Sequence, residues 1–469
     1  MDNNRKQYLL KNTAIFAVGN FGTKIITFFL IPIYTNSLST SEYGIIDLIV
    51  TGSTIVVPLL SLNISEAVMR FNLDKDADQN KITKVGITIL FYGTLLAIVI
   101  IPLCSLFDKV SGFARHIYFY VIFSASSQIL LADLRGKELL VQYSIGNIIN
   151  TLLVAIFNIL FLLVLKMGIR GYLLAYIIAF AIVTFYALIV GKGYASFNEV
   201  FDLEISKKML KYSIVLIPNS FMWWIMNSSD HIMVTSMVGA TANGIYAISY
   251  KLPTLIASIM QIFNQAWSYS AIREEGSEDL EIYTNKVFGS MISIAMFVAI
   301  GMLTFVKPFL KIYVSNDYYL AWKYTPFLII GYVFSTLGTF ISTSYTVHKD
   351  SKGFLISGSF GAMLNIIMNW ILIPIIGVYG AAIATGCSYI AVFIFRLFHT
   401  KKYFHYKLLS KEFVAGLTIL FISTIFMFID NGLAQIIQIL LLMCGAFVYK
   451  EMWVSYIGIV LKKMNKKRL

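Results

Sequence analysis

Five ionisable side chains stand inside stretches of the sequence that are otherwise apolar: Lys24, Asp47, Asp230, His231 and Lys251. Lys24 ends the run Gly19-Asn20-Phe21-Gly22-Thr23-Lys24, and Asp230-His231 follow Asn227-Ser228-Ser229. Lys251 directly precedes Leu252-Pro253, a pair that kinks a helix. A charged group in hydrocarbon is costly unless it faces water or protein, so each of these marks a candidate functional site. The chemistry on offer is anion binding by the two lysines and ion coupling through Asp47, Asp230 and His231. The plainer reading makes Lys24–Asp47 and Asp230–Lys251 neutral pairs that hold helices together. That motive is modest, since polar contacts in membranes average about 0.6 kcal/mol.

Further basic residues sit where apolar runs end. Arg70, Arg135 and Lys137 either snorkel to headgroups or form a cytoplasmic mouth that attracts an anionic head. Snorkelling is the expectation for Lys137. The run Asp74-Lys75-Asp76-Ala77-Asp78 is not a calcium loop, because Gln79 stands where Gly is needed and Val85 where Glu is needed. It reads as a solvated loop. Cys104, Cys387 and Cys444 are far apart inside apolar runs, which suits small buried residues rather than disulfides or metal ligands. The five histidines show no metal-binding spacing, and no Gly-x-x-x-x-Gly-Lys loop is present for a nucleotide. No cofactor, metal or catalytic residue is expected, and no nucleic-acid partner.

The elements that must position these groups are membrane spans. Of the 469 residues, 58% are hydrophobic and 13% charged, whereas a soluble domain carries about 25% charged residues to solvate its surface. A span needs about 20 mostly apolar residues. The sequence offers candidates at 13–35, 42–64, 82–106, 116–140, 142–165, 169–191, 212–236, 242–265, 284–306, 324–347, 353–375, 378–399, 411–429 and 432–455, about fourteen in all. The first of these reads as an uncleaved span rather than a signal peptide. With the N-terminus inside, the cytoplasmic connections and ends hold about 28 of the 37 Lys and Arg residues and the outer connections about 7. That bias is the positive-inside pattern, and it accounts for the formal net charge of +13. Both termini are therefore expected in the cytoplasm.

An offset of about 200 residues relates the two halves. Leu10-Lys11 recurs as Leu210-Lys211, Ser41-Glu42-Tyr43-Gly44-Ile45 as Thr241-Ala242-Asn243-Gly244-Ile245, and Gly168-Ile169-Arg170-Gly171-Tyr172 as Gly377-Val378-Tyr379-Gly380-Ala381. Glycine in a tight turn has a local reason, but the shared order and spacing do not. Six spans per repeat give both halves the same orientation, as in transporters with parallel repeats. The expected architecture is an all-α membrane protein of two six-helix lobes around a central cavity, with two extra helices. Its domains are 1–192, a cytoplasmic linker at 193–208, 209–400, and 401–469 with the extra helices and a basic tail.

At this point the chain resembles a known family. Asn227-Ser228-Ser229-Asp230-His231, Gly239-Ala240-Thr241-Ala242-Asn243-Gly244-Ile245-Tyr246 and Tyr250-Lys251-Leu252-Pro253 look like the seventh and eighth spans of polysaccharide flippases of the Wzx type, within the multidrug/oligosaccharidyl-lipid/polysaccharide exporter superfamily. Gln265-Ala266-Trp267, Lys352-Gly353, the Asn365, Asn369, Pro374, Gly377 and Gly380-Ala381-Ala382-Ile383-Ala384-Thr385 series, Pro32, Tyr34, Leu38-Ser39, Glu42-Tyr43-Gly44 and Arg70-Phe71 fit the same pattern. The family usually has Asp-Arg where this chain has Asp230-His231. The resemblance implies a bacterial inner-membrane flippase that moves undecaprenyl-pyrophosphate-linked oligosaccharide, the repeat unit of an O-antigen, capsule or other exopolysaccharide, to the outer leaflet. Polysaccharide polymerase and chain-length machinery would be its partners. Lys24 and Lys251 would then meet the pyrophosphate, with Arg70 and Arg135 at the entrance. Asn20, Asn227 and Trp267 would meet the sugars, along with Trp223, Trp224, Tyr250, Gln261 and Asn264. The nearest alternative is a multidrug cation antiporter of the same superfamily. A membrane polymerase or ligase is a more distant one, because the outer connection from Lys307 to Lys323 has no histidine, and lipid II transport is a third.

Overall fold

The computed structural model of the chain describes residues 23–74, 76–102, 110–273, 279–348 and 350–450, which are helices and their connections, with no strand among them. Helix α1 is seen over residues 23–37. It is followed by α2 (Thr40–Leu60), the short α3 (Ile64–Asn72), α4 (Gln79–Ile100), α5 (Ala114–Gly136), α6 (Leu140–Asn158, continued by a π-helical turn over Ile159–Val164), α7 (Gly168–Val190), α8 (Leu203–Met237) and α9 (Ala240–Ser249). The second half runs through α10 (Lys251–Arg273), α11 (Leu280–Tyr313), α12 (Thr325–Val347), α13 (Ser351–Ile376), α14 (Val378–His399), α15 (Lys411–Met427) and α16 (Gly432–Val448).

Side-chain caps set many of these boundaries by satisfying amide groups that a helix start leaves unpaired. Ser39 and Glu42 form a reciprocal capping box on α2, and Asp78, Asp202, Asp350, Ser410 and Asn431 cap α4, α8, α13, α15 and α16. Two expected spans are corrected. The span at 42–64 ends at Leu60, where Leu62 and Asn63 adopt positive φ and turn the chain into the separate helix α3. The span at 242–265 is broken at Tyr250. Pro253 has no amide to offer the Ser249 carbonyl, and Thr325 donates its hydroxyl to that carbonyl instead, at 3.5 Å. Helix α8 begins nine residues before the expected 212, because Asp202 accepts from the Glu204 and Ile205 amides.

Nine helices among the described residues are long and apolar enough to cross a bilayer: α2, α4, α5, α6, α7, α11, α12, α13 and α14. The remaining spans of the expected fourteen fall on α1, whose beginning lies outside the described residues, on the charge-bearing α8, on the broken α9–α10, and on α15 and α16 at 17 residues each.

Packing divides the chain into two compact units, 1–244 and 245–469. In the first, α5 packs on α3 and α7. Its core joins Ile64, Val68, Ile82, Val85, Ile129 and Met209, with Leu130, Leu134 and Ala187 beside it. In the second, α12 is the central element, packed against α10, α11 and α14, while α15 and α16 lie on α11. The most exposed crossing helices, α6 and α13, show bulky apolar faces such as Ile156, Leu160, Met363 and Trp370, as lipid-facing helices must.

Candidate functional site: a buried acid–histidine cluster

The start of α2 and the start of α9 meet in the first unit at backbone distance. A Cβ on Gly44 would run into the Ala240 carbonyl, and one on Gly244 into the Thr40 carbonyl. The Gly-Ile pair of the internal repeat is thus a contact between its own two copies. Gly239, at φ +135°, makes the turn from α8 into α9 that only glycine adopts readily. This close approach carries Asn243 over α2, where its amide donates to the Gly44 carbonyl at 3.1 Å and to Asp47 Oδ2 at 3.0 Å.

Asp47 lies on α2 one turn beyond Gly44, and its Oδ2 is 2.7 Å from His231 Nδ1 on α8. The two side chains are only 15% and 9% exposed. Asp230 is buried beside them, its Oδ1 accepting the His231 backbone amide at 3.0 Å. One carboxyl, Asp47, and the His231 imidazole therefore share an enclosed site, with the buried Asp230 next to the histidine in the chain. With the proton on Nδ1 the imidazole donates to Asp47. A second proton makes the pair an internal ion pair, so the cluster can take up a cation's worth of charge without opening to solvent.

A second polar cluster lies at the other end of the first unit. Asp133 on α5 is almost fully buried and accepts from Thr83 Oγ1 at 2.6 Å and Asn72 Nδ2 at 2.8 Å. Lys137, one turn on, pairs with Asp133 at 2.7 Å and donates to the Gly191 carbonyl at 2.9 Å. Lys137 does not snorkel; its amine is buried and neutralised. The sequence reading passed over Asp133, although the i, i+4 spacing to Lys137 is the signal of such a pair.

In the second unit, Tyr250 donates to Thr385 Oγ1 at 3.3 Å, Asn365 donates to the same hydroxyl at 3.4 Å, and Asn369 donates to Asn365 Oδ1 at 2.9 Å. Arg396 is buried in the last turn of α14. It bonds Ser357 Oγ and the Gly338 carbonyl, both at 3.0 Å, and so ties α14 to α13 and α12.

The family model for polysaccharide biosynthesis proteins matches residues 9–269. The chain belongs to that family. The family expected from the motifs is thus the one matched. Among curated proteins, the chain is 25% identical to the uncharacterized membrane protein MJ1375 of Methanocaldococcus jannaschii over 418 residues, which covers 83% of this chain and 97% of the relative. Its fold is shared with the lipid II flippase MurJ in an inward closed conformation, at TM-score 0.69 and 16% identity over 96% of this chain and 100% of the other. It is shared also with an inward-facing multidrug-resistance MATE transporter of the MOP superfamily, at TM-score 0.61 and 13% identity over 87% and 95%.

The structure places the remaining candidates of this family member as follows. Lys24 is on an exposed face of α1, beside the exposed Ile25 and Phe29, while Asn20 and Cys104 lie outside the described residues. Lys251 opens α10 and is half-buried. Arg70 is exposed and held by Asp74 at 2.6 Å, and Arg135 is exposed at the end of α5. Asn227 donates to the Trp223 carbonyl at 2.7 Å, and Trp224 Nε1 donates to the Thr51 carbonyl at 3.0 Å. Trp267 is buried and stacked on Phe340, with centroids 5.0 Å apart. Its Nε1 and the Asn264 Oδ1 one turn before it lack hydrogen-bond partners among the described residues.

Proposed function

We propose that this chain is a flippase for a polyprenyl-diphosphate-linked oligosaccharide, carried from the cytoplasmic to the outer leaflet by alternating access and coupled to an ion. The observation that carries the reading is the buried Asp47–His231–Asn243 cluster in a chain whose residues 9–269 match the family. A buried titratable pair at the contact of α2, α8 and α9 is a place where binding a proton or cation changes the energy of one conformation relative to another, which is what coupling requires. The repeat-related lobes 1–192 and 209–400 supply the two halves of the motion. Lys24 and Lys251, with Arg70 and Arg135 toward the cytoplasm, are the cationic partners of the diphosphate. Asn227 and Trp267, with Asn20, are the surfaces for sugar. The orientation has both termini in the cytoplasm of the plasma membrane. O-antigen, capsule or exopolysaccharide repeat units, on undecaprenyl in a bacterial host, are the glycans this chemistry fits.

The test is complementation of a strain lacking the chain, with lipid-linked glycan measured on each leaflet. The reading expects glycan to accumulate inside in the deletion strain, and Lys24→Ala or Lys251→Ala to restore at most a tenth of the surface polymer. Full surface polymer in both variants removes the cationic role. A multidrug antiporter is the second reading, favoured by the acidic Asp47 and Asp230. It expects the parent protein to export a cationic drug, Asp47→Asn to abolish that export, and surface glycan to stay unchanged in both.

A further inference from the structure

The connection from α7 to α8 carries acids, an amide and lysines in its sequence, yet most of the side chains it exposes over 193–203 are apolar. Residues Gly193–Asn198 form a 3-10 turn that packs against α4 and α7. Gly193 and Ser196 face inward, and Lys84 Nζ holds the Phe197 carbonyl at 3.3 Å. Just beyond it, Lys81 Nζ lies 3.7 Å from Asp202, and Met209 of α8 is buried in the core of the first unit. The segment is therefore fastened on its inner side, and what it turns outward is fixed. That outward face carries Tyr194, Phe197, Val200 and Leu203, exposed by 54%, 53%, 82% and 61%, with Phe201 and the single amide Asn198 beside them.

Two observations say what covers this face. The first is position. Helix α8 has 35 residues, about 52 Å at 1.5 Å per residue, whereas the hydrocarbon core is about 30 Å thick. Part of α8 therefore projects beyond the hydrocarbon, and the exposed Glu204, Lys207, Lys208 and Lys211 mark its first turns, next to the end of α7, as that part. The second is charge. Lys192, Lys207 and Lys211 flank the apolar side chains and are exposed, while the neighbouring acids Asp202 and Glu204 are paired with other lysines, Lys81 and Lys208. Aromatic and aliphatic side chains ringed by lysines are the composition of a segment that lies in the interface of an anionic leaflet.

We propose that residues 193–203 are an interfacial anchor. Tyr194, Phe197, Val200 and Leu203 insert into the cytoplasmic leaflet, and Lys192, Lys207 and Lys211 bind the phosphates of anionic lipid headgroups. This rests on the membrane-spanning fold and not on the proposed substrate, so the two fail separately. The test is spin labelling of the full chain in which Cys104, Cys387 and Cys444 are replaced by Ser. One label is introduced by Phe197→Cys and a control label by Lys208→Cys, whose native lysine pairs with Glu204. The protein is reconstituted into nanodiscs of phosphatidylcholine with and without phosphatidylglycerol. The label at position 197 is expected to be more accessible to oxygen than to an aqueous nickel chelate, more so with phosphatidylglycerol, and the control label the reverse. Lys207→Gln with Lys211→Gln should abolish the phosphatidylglycerol effect while leaving the fold intact. Equal aqueous accessibility at both positions in both lipids overturns the anchor. Label–label broadening at position 197 also overturns it, because a second copy would then be the occupant. A phosphatidylglycerol effect that survives the double lysine variant overturns the role of the lysines.

Discussion

At the scale of single residues, what matters is which charges have partners. Asp47 finds His231 and Asn243, so each position has a separable expectation. His231→Gln keeps a hydrogen-bonding side chain at the site but removes the imidazole that can carry a proton. Transport measured in proteoliposomes across a pH series should lose its pH dependence in that variant while the fold is retained. Asp47→Asn should lower the rate at least tenfold. An unchanged pH profile for His231→Gln would take the histidine out of the mechanism. Asp133 and Lys137 are the contrasting case, a buried ion pair whose carboxylate and amine are both satisfied by neighbouring groups. Removing one member leaves the other charge buried, which costs about 3–5 kcal/mol. Lys137→Met should therefore sharply lower the thermal midpoint of the purified protein, and Asp133→Asn together with Lys137→Met should recover part of the loss.

At the scale of elements, close backbone contacts and caps decide the architecture. Gly44 and Gly244 let α2 and α9 touch, so Gly44→Val or Gly244→Val should destabilise by at least the 1–3 kcal/mol typical of overpacking. Gly52, with open space around its Cβ position, is the neutral control, and thermal unfolding of the three variants checks the order. The turn between α12 and α13 offers a pH test outside the membrane. The Gly353 amide, followed by Lys402 and Tyr403, holds the Asp350 carboxyl well below the usual carboxylate range. A depressed folded value contributes stability that is present above the unfolded value of about 3.9 and is lost as pH falls through the folded one. Asp350→Asn should thus lower the midpoint at neutral pH, and the gap from the parent protein should close as the pH drops below about 4.

At the scale of the whole molecule, the lysine and arginine distribution makes an orientation claim that fusion reporters can check. Alkaline phosphatase fused after Asn431 should be active, since the α15–α16 turn is expected outside, whereas fusions after Lys352 or after the last residue should be inactive. Active phosphatase at Lys352 would invert the topology. Helices α15 and α16 pack on α11 through Gly416 and Gly445, which face Met296 and Ile300. They are thus an integral layer of the second unit.

The sequence by itself determined that this is a multi-pass helical membrane protein, the start and end of most of its helices, and its family. These follow from composition, apolar run length and local motifs, which act over a few turns. α14 begins and ends at the expected residues 378 and 399, because glycine at 377 and the basic last turn are local signals. Asp47, Asp230 and His231 were legible as sites because a charge in an apolar run is conspicuous in one dimension. That Asp47 meets His231 across 184 positions, that Gly44 touches the start of α9, that Lys137 is buried, and that Tyr194 and Phe197 face outward, only the tertiary structure decided. Partner choice for a buried charge and the facing of a short irregular segment depend on which helices cross there, and no local spacing encodes that.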